Sequence, residues 1–259
     1  MHESAFSLTT RPGVLIRGWM ADTGNSPVGL FLHGFRSHCA GEKALALTTH
    51  ALARGYSWVR FDLAAHGAST GVFAQQTLSG WLEDSLSVAR LFAPRPLILV
   101  GSSLGAWLAV LMARGSDLPV AGLVLLAPAL NFLQRSAASL PHDRLARWQG
   151  AGRCLFPDPY GPPGTVYELD YGLVLDAATH DVLSSPVTLP CPLSVIHGDH
   201  DELVPLSVSE DFVSRVRAPV KRLTVVPDGD HRLTGAIPLI LAEVDALWTS
   251  AAGGAGARA

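Results

Sequence analysis

A serine between two glycines is the first residue of this chain whose setting suggests chemistry. Residues 101–105 read Gly-Ser-Ser-Leu-Gly, which places Ser103 at the centre of a G-x-S-x-G pattern. Four apolar residues, 97–100, precede the pattern, and a mostly apolar stretch continues after it to Met112. A strand, a tight glycine turn and a helix in this order expose a serine hydroxyl at the end of the strand. The pattern therefore predicts that Ser103 is a nucleophile.

The same pattern occurs a second time, at residues 67–71, where it is centred on Ser69. That stretch is polar, and residues 72–76 after it do not begin an obvious long helix. Because the motif requires a strand before the serine and a helix after it, we interpret Ser69 as a loop residue. Ser102 lies one place too early in the motif to be the nucleophile.

A serine hydroxyl needs a base, usually a histidine that a carboxylate orients. His231 follows the last predicted strand, and it is the only histidine after His200, so it is the predicted base. Asp199 and Asp201 follow the preceding predicted strand, which gives the chain order serine, acid, histidine. Spacing alone leaves the choice between these two acids open.

Two backbone N–H groups are predicted to face the oxygen that becomes negative when a serine attacks a carbonyl. One belongs to Leu104, directly after the nucleophile, and the other to Phe35, in the loop after the first buried strand. Gly34 allows that loop to turn tightly. Asp62 and His66 are expected at the same end of the sheet, where they order the loops.

A metal site is the alternative interpretation of the cluster formed by His197, Asp199, His200 and Asp201. These are metal-binding residue types, but their spacing matches no standard ligand motif. A role for one acid beside a serine and a histidine explains the cluster without a metal. We therefore predict that the protein has neither a metal nor another cofactor.

Buried strands alternate with amphipathic helices along most of the chain. The predicted strands at residues 28–32 and 57–63, for example, flank a helix predicted over residues 42–54. This alternation predicts an α/β fold with a mostly parallel sheet covered by helices on both faces. The candidate residues lie at the carboxyl ends of strands, where functional residues of such sheets are expected.

The alternation is interrupted between residues 131 and 185, where prolines and scattered aromatic residues replace it. We interpret residues 131–185 as a cap inserted over the sheet, and residues 1–130 and 186–250 as the core of one domain. The Gly/Ala-rich residues 251–259 are predicted to be a disordered tail. No linker divides the chain into independent domains.

Composition excludes several classes of function. The net charge is −3 and there is no basic tract, which argues against a nucleic-acid partner. No run approaches the roughly 18 apolar residues that a membrane span needs, which argues against integral membrane association. The three cysteines have no CxxC spacing, and the first residues lack the pattern of a secretory signal. These features favour a cytoplasmic location.

Three motifs together resemble the serine α/β-hydrolase family: residues 33–35, 101–105 and 197–205. Further stretches are similar to the branch that contains palmitoyl-protein thioesterases and acyl-glucuronide esterases: residues 41–44, 60–62, 98–108 and 230–232. The resemblance implies an α/β-hydrolase fold with about eight strands and a small cap. It also implies that the acid is Asp201.

The resemblance implies a serine hydrolase that cleaves carboxylic esters or thioesters through an acyl-enzyme, with fatty-acylated cysteine as one substrate class. The alternative is a carboxylesterase for small or glucuronide-type esters, with a peptidase as a third option. An inactive hydrolase-fold protein that binds a small molecule is the rival from another class. Such a protein should lack part of the catalytic machinery, whereas Ser103, Asp201 and His231 are all present.

Overall fold

The computed structural model of the protein describes residues 2–158 and 162–255, with side chains up to residue 251. The strands are β1 (Ser4–Arg11), β2 (Val14–Ala21), β3 (Val28–Leu32), β4 (Ser57–Phe61), β5 (Leu97–Ser102), β6 (Val120–Leu126), β7 (Arg153–Pro157), β8 (Val166–Asp170), β9 (Leu193–Gly198) and β10 (Lys221–Val226). The α-helices are α1 (Glu42–Arg54), α2 (Leu78–Arg90), α3 (Leu104–Gly115), α4 (Phe132–Ala138), α5 (His142–Ala151), α6 (Gly172–Ala178), α7 (Leu206–Arg215) and α8 (Ile237–Ala255).

Eight of these strands form one sheet in the order β1-β2-β4-β3-β5-β6-β9-β10. β1 pairs antiparallel with β2, and β2 pairs antiparallel with β4, whereas all other neighbours are parallel. The predicted α/β-hydrolase fold with a mostly parallel sheet of about eight strands is confirmed. Because these strands are parallel, the carboxyl ends of β3, β5, β9 and β10 lie at the same end of the sheet, where the candidate residues are found.

Alternate residues of each central strand pack on opposite faces of the sheet. In β5, Leu97 and Leu99 belong to an apolar cluster that includes α2 and α3. Ile98 and Val100 belong to a second cluster that includes α1 and α8. Burial on both faces explains why these strands are continuously apolar in sequence. The sheet is therefore a rigid platform with a helical layer on each side.

Between β6 and β9 lie residues 131–185, which we call the cap segment. It contains α4, α5, α6 and the antiparallel hairpin β7-β8, which pairs separately from the main sheet. The indole Nε1 of Trp148 in α5 donates to the carbonyl oxygen of Leu169 in β8 at 3.0 Å. This bond ties the hairpin to the helix. The boundaries of the cap and the single-domain organisation stay predictions.

The C-terminal helix is longer than the sequence pattern predicted. Residues 251–259 were predicted to be a disordered tail, but α8 continues to Ala255. Ile240, Val244 and Leu247 anchor the helix on the core. The three alanines among residues 251–255 favour a helix and the two glycines oppose it, so anchoring on the core accounts for the extension. Residues 256–259 lie outside the described part of the chain.

Candidate active site

Ser103 occupies the sharp turn between the end of β5 and the start of α3. Its backbone has φ 54° and ψ −115°, a conformation that L-residues rarely adopt. Two bonds hold it there: its N–H donates to the carbonyl of Leu126 at 2.9 Å, and its own carbonyl accepts from Ala129 at 3.2 Å. The turn is therefore held rigidly, and it directs the serine side chain away from the sheet.

The two glycines of the motif are required by backbone contacts. A Cβ on Gly101 would lie 2.3 Å from the carbonyl oxygen of Gly105. A Cβ on Gly105 would lie 2.0 Å from the carbonyl oxygen of Leu32 in β3. Real Cβ atoms do not approach backbone oxygens this closely, so strand and helix can meet here only without side chains.

A chain of hydrogen bonds links the three predicted residues. The Ser103 hydroxyl lies 3.1 Å from His231 Nε2, and His231 Nδ1 lies 2.7 Å from Asp201 Oδ2. Because the carboxylate can only accept, Nδ1 carries the proton and Nε2 is free to accept from the serine. Asp199, the alternative acid, is exposed, and its amide donates to Val226. The structure thus brings Asp201, rather than Asp199, to the histidine.

The Asp201 carboxylate is fully buried and fully bonded. Oδ1 accepts from the backbone N–H groups of Leu203 and Val204, each at 2.9 Å. Burial raises the pKa of the Asp201 carboxyl, but hydrogen bonds from His197, His231 and the Val204 amide outweigh it. The pKa is therefore well below its usual range, and the group is an anion at neutral pH.

His197 is a partner of Asp201 that the sequence analysis did not assign. Its Nε2 lies 3.1 Å from Asp201 Oδ2 and 3.0 Å from the carbonyl oxygen of Val204, so Nε2 carries the proton. Its Nδ1 then accepts from the Ser209 hydroxyl at 2.6 Å. The sequence feature that could have identified His197 was its position four residues before Asp201, at the end of a strand.

In the described part of the chain, no three His, Cys, Asp or Glu side chains are grouped to hold a metal.

Phe35 and Leu104, the two predicted oxyanion residues, lie beside Ser103. Gly34 is so close that a Cβ on it would be 3.1 Å from the Ser103 Cβ, and Leu104 begins α3 directly after the serine. Within the residues that the structure describes, neither the Phe35 nor the Leu104 amide has an acceptor. Both donors are therefore available to a bound carbonyl oxygen.

Two buried histidines order the loop that carries Phe35. His33 Nδ1 donates to the carbonyl of Gly34 at 2.8 Å, while its Nε2 accepts from the amide of Leu63 at 3.0 Å. His66 Nε2 accepts from the amide of Arg36 at 3.2 Å. Burial lowers the pKa of His33 to about 4 and that of His66 to about 3, so both rings stay neutral.

Asp62 and Ser69 complete the same loop support. The Asp62 carboxylate accepts from the amides of Cys39 and Ala68, at 2.6 Å and 2.8 Å. The Ser69 hydroxyl donates to the Asp62 carbonyl at 2.6 Å and accepts from the amide of Arg17 at 2.9 Å. These contacts fit the predicted loop roles of Asp62, His66 and Ser69, and none of them involves the Ser103 hydroxyl.

Two cavities meet at Ser103, Phe35, Arg36 and His231. The first, of about 280 Å³, extends to the start of α1, and we call it the α1 cavity. The second, of about 400 Å³, extends under the cap segment, and we call it the cap cavity. A substrate with its carbonyl at Ser103 can therefore place its two halves in two separate spaces.

Arg36, next to Phe35 in sequence, connects the oxyanion loop to the cap segment. Its guanidinium forms an ion pair with Asp158, at the end of β7, and lies 4.5 Å from the ring of Tyr167 in β8. The Phe35 ring contacts the rings of Phe132 and Tyr167, with centroids 5.5 Å and 6.0 Å away. The cap segment thus packs directly on the loop that presents the Phe35 amide.

The Alpha/beta hydrolase family model matches residues 30–240 of the chain. Rat palmitoyl-protein thioesterase ABHD10, a mitochondrial protein, is 31% identical over 247 residues, which are 95% of this chain and 83% of that protein. The human protein of the same name is 31% identical over 231 residues, 89% of this chain and 75% of that one.

Solved structures give the same result. The alpha/beta hydrolase domain-containing protein 10 from mouse has a TM-score of 0.85 at 30% identity, covering 94% of this chain and 98% of that one. A putative hydrolase from Agrobacterium vitis S4 has a TM-score of 0.86 at 30% identity, covering 95% and 98%. The resemblance predicted from the motifs is confirmed: this chain belongs to the alpha/beta hydrolase family.

Proposed function

We propose that the protein is a serine hydrolase that cleaves carboxylic esters or thioesters through an acyl-enzyme intermediate on Ser103. The observation that carries this proposal is the hydrogen-bond chain from Ser103 through His231 to Asp201, which begins at a strained turn beside two amides without an acceptor in the described chain. A nucleophile, an oriented base and an oxyanion site in this arrangement are what acyl transfer requires.

In the first step, Ser103 Oγ attacks the substrate carbonyl carbon while its proton moves to His231 Nε2. The carbonyl oxygen becomes negative and accepts from the N–H groups of Phe35 and Leu104. His231 then gives the proton to the leaving alcohol or thiol, and the bond between that group and the carbonyl carbon breaks. A water molecule repeats the sequence on the acyl-enzyme, releasing the acid and restoring the serine.

Asp201 supports both steps without changing its own protonation. Its carboxylate holds the His231 ring in the tautomer whose Nε2 accepts, and it stabilises the imidazolium that forms. Hydrogen bonds from His197 and Val204 keep this carboxylate from rotating. In our proposal, His197 is therefore a positioning residue for the acid.

Fatty-acyl thioesters of the palmitoyl type are one substrate class we propose. Relatives about 31% identical are named palmitoyl-protein thioesterase, and the cap cavity has apolar wall residues such as Phe132 and Leu203.

A second candidate is the hydrolysis of small or glucuronide-type esters. The α1 cavity favours this second candidate, because Lys43 lies in its wall. The Lys43 ammonium donates to the carbonyl oxygen of Arg232. Burial lowers the pKa of this ammonium. Matched esters and thioesters of increasing acyl length distinguish the two, since a preference for acetyl over octanoyl argues against depalmitoylation.

Labelling with an alkyl fluorophosphonate tests the mechanism. We expect one label per molecule at Ser103 in the intact protein, and neither label nor p-nitrophenyl ester hydrolysis in Ser103→Ala. Ser69→Ala, which removes the serine of the second pattern, should still be labelled. An unlabelled wild-type protein, or normal hydrolysis by Ser103→Ala, would contradict the proposal and favour a hydrolase-fold binding protein.

None of the helices among the described residues has the length and apolar character that crossing a bilayer requires. We propose a cytoplasmic location and small-molecule or acylated substrates rather than nucleic acid. The names of the ABHD10 relatives place those proteins in mitochondria. Fractionation of cells that express the tagged full chain tests the location, and recovery with a membrane-enclosed compartment would contradict it.

A further inference from the structure

Arg135, in helix α4 of the cap segment, has no counter-ion among the described residues. Its Nη1 is buried and has no hydrogen-bond acceptor there. By contrast, the partly buried Arg11, Arg36 and Arg60 pair with Asp84, Asp158 and Glu3, respectively. Leaving this buried Nη1 donor unpaired is unfavourable, because a desolvated donor loses water without gaining an acceptor.

This guanidinium lines the cap cavity, which also reaches Ser103 and His231. Among the lining residues that the structure describes, the charged groups are Arg36 and Arg135, and there is no aspartate or glutamate. Burial lowers the pKa of Arg135, with no acid acting against it. Since Arg36 already pairs with Asp158, the unbalanced positive charge in the cavity is that of Arg135.

The α1 cavity is better placed to hold the leaving group than to hold the acyl group. His231 must give its proton to the leaving atom, so the leaving group lies beside the loop that carries this histidine. Arg232 and Thr234, which follow His231, line the α1 cavity and not the cap cavity. The acyl group then occupies the cap cavity, where it meets α4.

We propose that the cap cavity binds acyl groups that end in a carboxylate, and that Arg135 pairs with this carboxylate. The inference rests on the proposed serine hydrolase activity and predicts that acyl groups ending in a carboxylate are preferred over uncharged acyl chains of the palmitoyl type. Apolar wall residues such as Phe132 and Leu203 contact the methylene chain, while the guanidinium takes its charged end. The preferred substrates are thus monoesters or monothioesters of dicarboxylic acids.

Matched substrates test this on the intact protein. The first arm uses p-nitrophenyl monoesters of succinic, adipic, suberic and sebacic acids beside their neutral carboxamide analogues. The second arm moves the charge to the leaving group, comparing hexanoate esters of 4-hydroxybenzoate and 4-hydroxybenzamide. At the best chain length, we expect kcat/KM in the first arm to favour the carboxylate by roughly 10- to 100-fold, as a charge-assisted pair would give. No such preference is expected in the second arm.

Variants assign the preference to Arg135. Arg135→Met should lower kcat/KM for the carboxylate substrate by that factor and leave the carboxamide substrate within about twofold. Arg135→Glu should favour an amine-ended acyl chain instead. The matched control is Arg147→Met, in the neighbouring helix α5, where the side chain is 76% exposed and pairs with Asp143. This control should keep the wild-type preference.

Three results would overturn the inference: equal rates for carboxylate and carboxamide in the wild type, a preference confined to the leaving-group arm, or equal loss on both substrates in Arg135→Met. In each case, hydrolysis of the neutral ester and fluorophosphonate labelling still report on the proposed function. If the wild type neither hydrolyses any ester nor takes the label, the proposed function itself fails.

Discussion

The turn around Ser103 and the cap segment are held in place by different kinds of contact. At the turn, backbone meets backbone: Gly105 packs on the Leu32 carbonyl, and the Ser103 amide donates to Leu126. In the cap segment, single side chains reach between elements, as Trp148 does to Leu169. Backbone contacts leave no freedom for substitution, whereas side-chain contacts can be exchanged. We therefore expect changes at the turn to abolish activity or folding, and changes in the cap segment to adjust specificity.

Exchange of the buried acid should give the largest effect. We expect Asp201→Asn to lower kcat by roughly 10³- to 10⁴-fold, because an amide at this place favours the wrong tautomer of His231. The matched control is Asp199→Asn, whose side chain is exposed. Steady-state kinetics with a p-nitrophenyl ester measure both. The choice of acid is wrong if Asp199→Asn is the inactive variant.

Glycine substitutions compare the turn and the cap segment directly. Gly105→Ala should cost about 3 kcal/mol or more in unfolding free energy, because its Cβ would lie 2.0 Å from the Leu32 oxygen. Gly150→Ala, in α5, has open space around its Cβ and should stabilise by up to about 1 kcal/mol. Urea denaturation of both variants measures the difference. Similar values for the two would show that the turn is not tightly packed.

The buried histidines under the oxyanion loop should make folding sensitive to acid. Their pKa values are lowered in the folded protein, to about 4 for His33 and about 3 for His66, whereas the unfolded chain titrates near 6.5. Below about pH 6.5, the unfolded state binds protons that the folded state does not, so stability falls as the pH drops towards 4.

The expected slope is about 1 kcal/mol per pH unit for each histidine, measured as urea midpoints between pH 7 and pH 4. His66→Gln should flatten the curve, since glutamine keeps an acceptor for the Arg36 amide and does not titrate. His142→Gln, at an exposed site in the cap segment, should leave the slope unchanged. An unchanged slope in His66→Gln would contradict the assignment.

The smallest effect concerns the link between the two regions. Asp158→Asn removes the ion pair with Arg36, and we expect kcat/KM to fall by up to about tenfold, with little change in melting temperature. Glu168→Gln, which alters an exposed pair with Arg153 in the same hairpin, is the control and should stay near wild type. A large loss of melting temperature in Asp158→Asn would show that the pair stabilises the fold rather than the loop.

Sequence patterns were informative where burial is uniform. The apolar runs of β3 and β5 and the glycines beside Ser103 predicted the strands, the turn and the nucleophile candidate, because continuous burial and close backbone contact restrict residue type. The hairpin β7-β8 was not predicted. β7 alternates between half-buried and exposed side chains and ends in Pro157, and β8 has one buried residue, Leu169, so the usual strand signals are weak.

Long-range contacts explain what the patterns missed at the site. Spacing could not choose between Asp199 and Asp201, since the choice depends on which carboxylate the turn directs towards His231. The bond from His197 to Asp201 was equally hidden, because four residues at the end of a strand follow neither strand nor helix periodicity. The unpaired Arg135 becomes visible only when its cavity and its missing partner are known.

The hydrogen bond between Ser103 and His231 joins residues 128 positions apart in the chain. β9 and β10, which lead to Asp201 and His231, are made last and complete one edge of the sheet. Closing so long a loop is slow relative to local pairing. A nascent or refolding chain can therefore contain a formed turn at Ser103 long before it contains a base. Recovered hydrolysis is consequently a late reporter of folding, which lags behind the recovery of secondary structure.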